Sequence, residues 1–312
     1  EFRNDIRSSL PVPVHALLHN SLEQAALRSD DWQKKGESQG EVMAPLMLAT
    51  FVLTTPLLGI NHAAAFLTTT FGAHLRHLGP YTGRQVISQG AQQGVLVLHP
   101  DALSQVAALD TLLVDEHLWL SRDDWQNSLK QQSIDVYLLT DADAITLPLG
   151  VAGSFQISAA NDQQAIANRL QVEGRKVAYL SDVEDWLLGA SAHQLQFSTN
   201  LEIGAEKAGT DDVWAKPGIV LLGGDPQQLS QLWALARDYD EKQRFNLVAP
   251  TRCDFVDIGT TVLLDFNLLY SVLFTYAGIG LGVAKTDKGR SENLRPTDKA
   301  KVLNSVEPIA LN

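Results

Sequence analysis

Between residues 94 and 240, short apolar runs alternate with stretches whose apolar positions recur at helical spacing. Residues 94–115, GVLVLHPDALSQVAALDTLLVD, read as a strand, a short amphipathic helix and a buried strand that ends in a carboxylate. The runs VYLLTD, SFQIS, KVAYLSD, QLQFST and GIVLLG follow, separated by helix-like segments. Strands alternating with helices predict an α/β fold with a parallel, doubly wound sheet. Such sheets place their working residues beyond the carboxyl ends of the strands. Asp115, Asp141 and Asp182 each close an apolar run, so the pattern predicts that all three converge on one sheet edge.

Two longer apolar blocks flank this region. Residues 42–78 contain the runs APLMLATFVLTTPLLGI and AAAFLTTTFGAHL, separated by Asn61 and His62. That length suits a hairpin of two membrane helices, the first run being near the lower limit of about 17 residues. Residues 255–283, with 245–250 just before them, suit one long span or two short ones. Buried core helices of a soluble protein would give the same periodicity. The segment before residue 40 is polar, with a helix expected near Ser21 and a breaker at Gly36 to Gly40. The resulting division is a polar, partly helical segment (1–40), a membrane hairpin (41–79), an α/β domain (80–243), further membrane helices (244–284) and a polar tail (285–312). About four membrane helices are expected in all.

Composition narrows the function classes. A chain of 312 residues with 45% hydrophobic content can bury a sizeable core. Its net charge of −12 argues against nucleic acid as a partner. The single cysteine, Cys253, excludes a disulfide framework and any multi-cysteine metal site, and reads as a small apolar residue. The residues after Val283 carry six Lys/Arg against four Asp/Glu, a bias toward the cytoplasmic side of a membrane. No cleavable signal peptide is legible, and a start at Glu1 without Met fits a processed chain or a fragment.

Residues 94–115 resemble the lead-in to the phosphorylated aspartate of P-type cation ATPases, above all the heavy-metal-transporting branch. That family's aspartate opens the signature DKTGT, whereas Asp115 opens Asp-Glu-His-Leu-Trp. Residues 160–182 are similar to the run from the family's PEDK to the first Asp of GDGxND. Residues 220–247 are similar to the passage from the phosphorylation domain into the next membrane helix. Leu139-Thr140-Asp141 stands at the family's TGD. The resemblance covers roughly residues 40–265. It implies a Rossmann-like, haloacid dehalogenase-type phosphorylation domain between membrane helices. It also implies an integral protein of a bacterial inner membrane, with the α/β domain cytoplasmic. Asp115 is then the relic of the phosphorylated aspartate, Thr140 and Asp141 are catalytic positions, and Asp115, Asp182 and Asp185 are Mg²⁺ ligands.

The departures fall on the chemistry. Residues 116–139 number 24, where the family inserts a whole nucleotide-binding domain, and no actuator domain is legible before residue 40. The lysine after the nucleophile is Glu116, the threonine beyond it is Leu118, and the PEDK lysine is Gln163. His117 stands two residues after Asp115, where other haloacid dehalogenase-like phosphatases have an acidic group. GDGxND has become Ser181-Asp-Val-Glu-Asp, without its glycines and with Glu184 added. Phosphoryl transfer needs its charge neutralised, and these exchanges make the pocket repel phosphate.

In the membrane, the family's Cys-Pro-Cys motif falls on Phe71-Gly72-Ala73, or with a gap on Thr54-Thr55-Pro56, and neither offers a sulfur. His74 and His77 are three apart on one expected helical face and with His62 form a candidate imidazole metal site, although Arg76 lies between them. Asp254, Asp257 and Asp265 are expected to pair with Arg76 or Arg252, or to lie outside the hydrocarbon. Gly278-Ile-Gly-Leu-Gly is expected to serve close helix packing. The expectation is therefore a catalytically inactive, membrane-anchored P-type ATPase relative with no cofactor beyond possible Mg²⁺, acting with a protein partner or as an oligomer. The alternative is an ATP-dependent cation transporter whose nucleotide-binding and actuator parts lie on another chain.

Overall fold

The computed structural model describes residues 18–19, 22–23, 30–98, 101–120, 133–141, 147–148, 150–157, 160–181, 195–198, 218–222, 226–264 and 267–293. In chain order the elements are α1 (Asp31–Leu58), α2 (Ile60–Ala63), a 3-10 turn (Ala64–Leu67), α3 (Leu75–Gln92), β1 (Val95–Val97), α4 (Asp101–Ala107) and β2 (Thr111–Asp115). There follow α5 (Glu116–Leu120), β3 (Asp135–Thr140), β4 (Gly153–Gln156), α6 (Ala160–Val172), β5 (Val177–Ser181), β6 (Leu195–Ser198), β7 (Ile219–Leu221), α7 (Pro226–Leu264) and α8 (Leu268–Asn293). Two compact units result: residues 1–31 with 86–241, and residues 32–85 with 242–312.

The first unit is built on a seven-stranded sheet in the order β1-β7-β6-β5-β2-β3-β4. From β2 the chain winds outward through β3 and β4, then returns to β5 and winds the other way through β6 and β7. All pairings are parallel except β1–β7, which is antiparallel at the sheet edge. The sheet is thus α/β and doubly wound, as the alternating runs predict, with one antiparallel edge that alternation does not reveal. Side chains of a strand point alternately to the two faces. Leu112 and Val114 enter the larger core with Val136, Leu138, Ala178 and Leu180, against Leu103 of α4 and Leu232 of α7. Leu113, Leu139 and Tyr179 enter the opposite core with Ala167 and Leu170 of α6.

The amino ends of the central strands are pinned by polar contacts. Arg175 Nη1 donates to Asp135 Oδ2 at 2.5 Å and to Thr111 Oγ1 at 3.2 Å, and the Lys176 amide donates to Asp110 Oδ1 at 3.0 Å. The Asp135 bond raises the Arg175 guanidinium above its ordinary value. These bonds join the starts of β2, β3 and β5 and fix their register.

The second unit is helical. Among the described residues two helices are long and apolar enough to cross a membrane, α1 and residues Leu268–Lys288 of α8. Only 6% and 17% of their most apolar stretches are buried. A core helix of a soluble protein would be mostly buried, so these helices point to membrane association. The apolar blocks predict about four such helices, and two meet the requirement. The second arm of the first block is broken into α2, the 3-10 turn and the start of α3. Phe71 (φ 40°) and Gly72 (φ 100°) interrupt it. Part of the second block lies in α7, whose polar residues take it below that threshold. The expected breaker at Gly36 to Gly40 is instead helical within α1. Gly36 serves packing: a Cβ there would lie 2.6 Å from the Gly72 carbonyl oxygen.

Candidate functional site

The doubly wound order reverses between β2 and β5, and Asp115 is the last residue of β2. A ligand site of this architecture lies at such a reversal. Asp115 is 4% exposed, and its Oδ1 accepts a hydrogen bond from the Tyr179 hydroxyl at 2.9 Å. Tyr179 comes from β5, two residues before that strand ends at Ser181, and the register pairs Val114 with Leu180. Thr140 is the buried last residue of β3, one beyond the Asp115↔Leu139 pair. Its hydroxyl donates to Glu116 Oε2 from the first turn of α5.

Strand ends therefore bring Asp115, Thr140 and Ser181 to one edge. Asp141 follows Thr140 at that edge and is exposed. Asp182, Glu184 and Asp185 lie outside the described residues. Gln163 lies within α6. His117 is exposed, while Leu118 is buried. Sequence reasoning misses Tyr179, because its reach to Asp115 depends on the β2–β5 register.

In the helical unit, His74 and His77 do not share surroundings. His74 immediately precedes α3 and is buried, whereas His77 is exposed. His74 Nε2 lies 2.7 Å from the Asn246 carbonyl oxygen, which can only accept, so this nitrogen carries the proton. That carbonyl is available because Pro250, four residues on in α7, has no N–H to offer it. The Thr70 hydroxyl lies 3.2 Å from His74 Nδ1. His62 Nδ1 lies 3.1 Å from the Leu58 carbonyl oxygen.

The expected pairing of buried aspartates with arginines is replaced by other partners. Asp254 accepts from the amides of Thr70 and Phe71, Asp257 accepts from the Ser271 hydroxyl at 2.6 Å, and Arg76 pairs with Glu37 at 3.4 Å. Asp265 lies outside the described residues. Among the described residues no group of three or more His, Cys, Asp or Glu is arranged to hold a metal ion. Gly278 supports close packing, since a Cβ there would lie 2.9 Å from Pro250 Cα. A signal for the Asn246 carbonyl was present in the sequence: a proline within a helical pattern frees the carbonyl four residues earlier.

This arrangement defines a P-type-ATPase-like fold. The chain is similar to the crystal structure of a zinc-transporting PIB-type ATPase in the E2.Pi state, with a TM-score of 0.59 and 12% identity over 86% of this chain. It is also similar to a second crystal structure of a zinc-transporting PIB-type ATPase, in another state, with a TM-score of 0.57 and 11% identity over 88% of this chain. The chain spans 66% of the length of each of those proteins. At this identity the likeness establishes the fold alone. No protein-family model and no curated protein matches the chain.

Proposed function

We propose that the chain is a catalytically inactive relative of P-type cation ATPases, held in a membrane, whose α/β unit serves as a scaffold or interaction surface. Its partner is another protein or a second copy of the chain. The observation that carries this reading is Glu116. It places a carboxylate directly after Asp115 and engages the Thr140 hydroxyl. Phosphoryl transfer needs positive charge where Glu116 stands. The 24 residues from 116 to 139 fall well short of a domain of about 50 residues or more that would hold ATP.

On this reading Asp115, Thr140 and Asp141 are relics, the first two held by the Tyr179 and Glu116 hydrogen bonds, and no cofactor is required. Mg²⁺ at Asp115, Asp182 and Asp185 belongs to the alternative, as does a cation at His74 and His77. That alternative is an ATP-dependent cation transporter whose missing parts lie on another chain. The likeness to zinc-transporting pumps is compatible with both readings. A bacterial inner membrane with the α/β unit in the cytoplasm fits either reading.

Incubation with ATP and Mg²⁺ tests the proposal. No aspartyl-phosphate is expected at Asp115. Acid-stable, hydroxylamine-sensitive phosphate on the wild type, missing from Asp115→Asn, would establish the alternative.

A further inference from the structure

Between the 3-10 turn that ends at Leu67 and α3, which begins at Leu75, the backbone leaves helical geometry inside an apolar unit. An interrupted helix leaves amide donors without helical acceptors, and in a water-poor interior each such donor is costly. Two of these donors aim at one atom. The amides of Thr70 and Phe71 donate to Asp254 Oδ2 at 3.2 and 2.7 Å, and the Thr70 hydroxyl adds a third contact at 3.4 Å. Asp254 is 2% exposed and comes from α7, far along the chain.

The segment is also held in place by contacts that do not involve Asp254. Phe71 is 1% exposed and packs edge-on against Phe255, ring centroids 5.2 Å apart. Gly72 lies so close to α1 that an added Cβ would sit 2.9 Å from the Gly36 carbonyl oxygen. The two amides are therefore pre-aimed, as in other concavities where successive N–H groups bind anions.

We propose that the Thr70–Phe71 amide pair is a buried carboxylate-binding nest whose resident ligand is the Asp254 side chain. Removing that side chain empties the nest without dispersing it, so it takes a small free carboxylate instead. Formate matches the group lost in Asp254→Ala, whereas acetate carries a methyl that meets the remaining Cβ. The low water content assumed here rests on the membrane reading of this unit. The formate response in detergent does not depend on whether the chain is a scaffold or a pump, which the phosphorylation assay decides.

The test is thermal unfolding of the full chain in detergent. Asp254→Ala should melt lower by about 5 °C or more. Excess sodium formate should restore at least half of that loss, with acetate weaker and sodium chloride at equal ionic strength without effect. Wild type should not respond. An unchanged melting temperature in Asp254→Ala, no recovery with formate, or an equal response of wild type would overturn the proposal. If Asp254→Ala does not fold, the near-isosteric Asp254→Asn keeps an acceptor oxygen and allows a second measurement. The Phe71 amide proton resonance should move upfield in that variant as the charge-assisted bond weakens. An unmoved resonance would overturn the proposal equally.

Discussion

Gly59 and Gly72 both have positive φ, 76° and 100°, in different surroundings. A Cβ at Gly59 would meet nothing within 4 Å, while one at Gly72 would press on the backbone of Gly36. Gly59, at φ 76° and ψ 159°, occupies a region essentially restricted to glycine, so Gly59→Ala should cost only the backbone strain, about 1–3 kcal/mol. Gly72→Ala should cost clearly more, because neither backbone can move aside cheaply, and unfolding of the two variants in detergent compares them. Equal losses would mean that the α1 contact contributes nothing. At this scale the sequence was legible where chemistry coincided with pattern: Asp115 ends an apolar run, and it ends β2. It was not legible where a partner arrives through tertiary register. The Tyr179 hydroxyl on Asp115 and the Phe71 amide on Asp254 are of that kind.

The helices depart most from the pattern because their interruptions are repaired by other elements. Pro250 removes one bond from α7, and His74 supplies a replacement donor to the Asn246 carbonyl. His74→Ala should be costly in the native background, where it leaves that carbonyl without a donor. It should cost less beside Pro250→Ala, which restores a backbone N–H. A double-mutant cycle followed by unfolding should give a coupling of about 1–2 kcal/mol. Additive effects would show that the His74 bond does not stand in for the missing one. The strands were legible because their apolar runs are short and punctuated, whereas the antiparallel β1 edge depends on which strand closes the sheet. The helical continuity of α1 through Gly36 was illegible for a related reason. Glycine weakens a helix locally by about 1 kcal/mol, but close packing on Gly72 can repay it.

At the scale of the molecule, what most needs explaining is an extensive exposed apolar surface. Leu57 is 83% exposed, Leu263 80%, Leu53 72% and Val42 70%, all on long helices of the second unit. Isolated exposed leucines are ordinary, but a row of them along α1, continued on α7 and α8, marks a surface that lipid or another protein covers. If that cover is a bilayer, the chain should remain in the membrane pellet after alkaline carbonate washing and leave it only with detergent. Leu53→Arg then separates the two environments by sign. Near the centre of a membrane helix a buried arginine costs about 2.5–3.5 kcal/mol of insertion free energy, so the membrane-integrated fraction should fall. On a water-facing helix the same change would be nearly neutral, within about 0.5 kcal/mol, and would improve solubility. The measurement is the ratio of carbonate-resistant to released protein for wild type and variant at matched expression. A fall in that ratio, with the α/β unit still folded, is the outcome expected. A wild type recovered as a soluble monomer without detergent would instead make this surface a protein-binding face, and the scaffold reading would lose its membrane while keeping its partner.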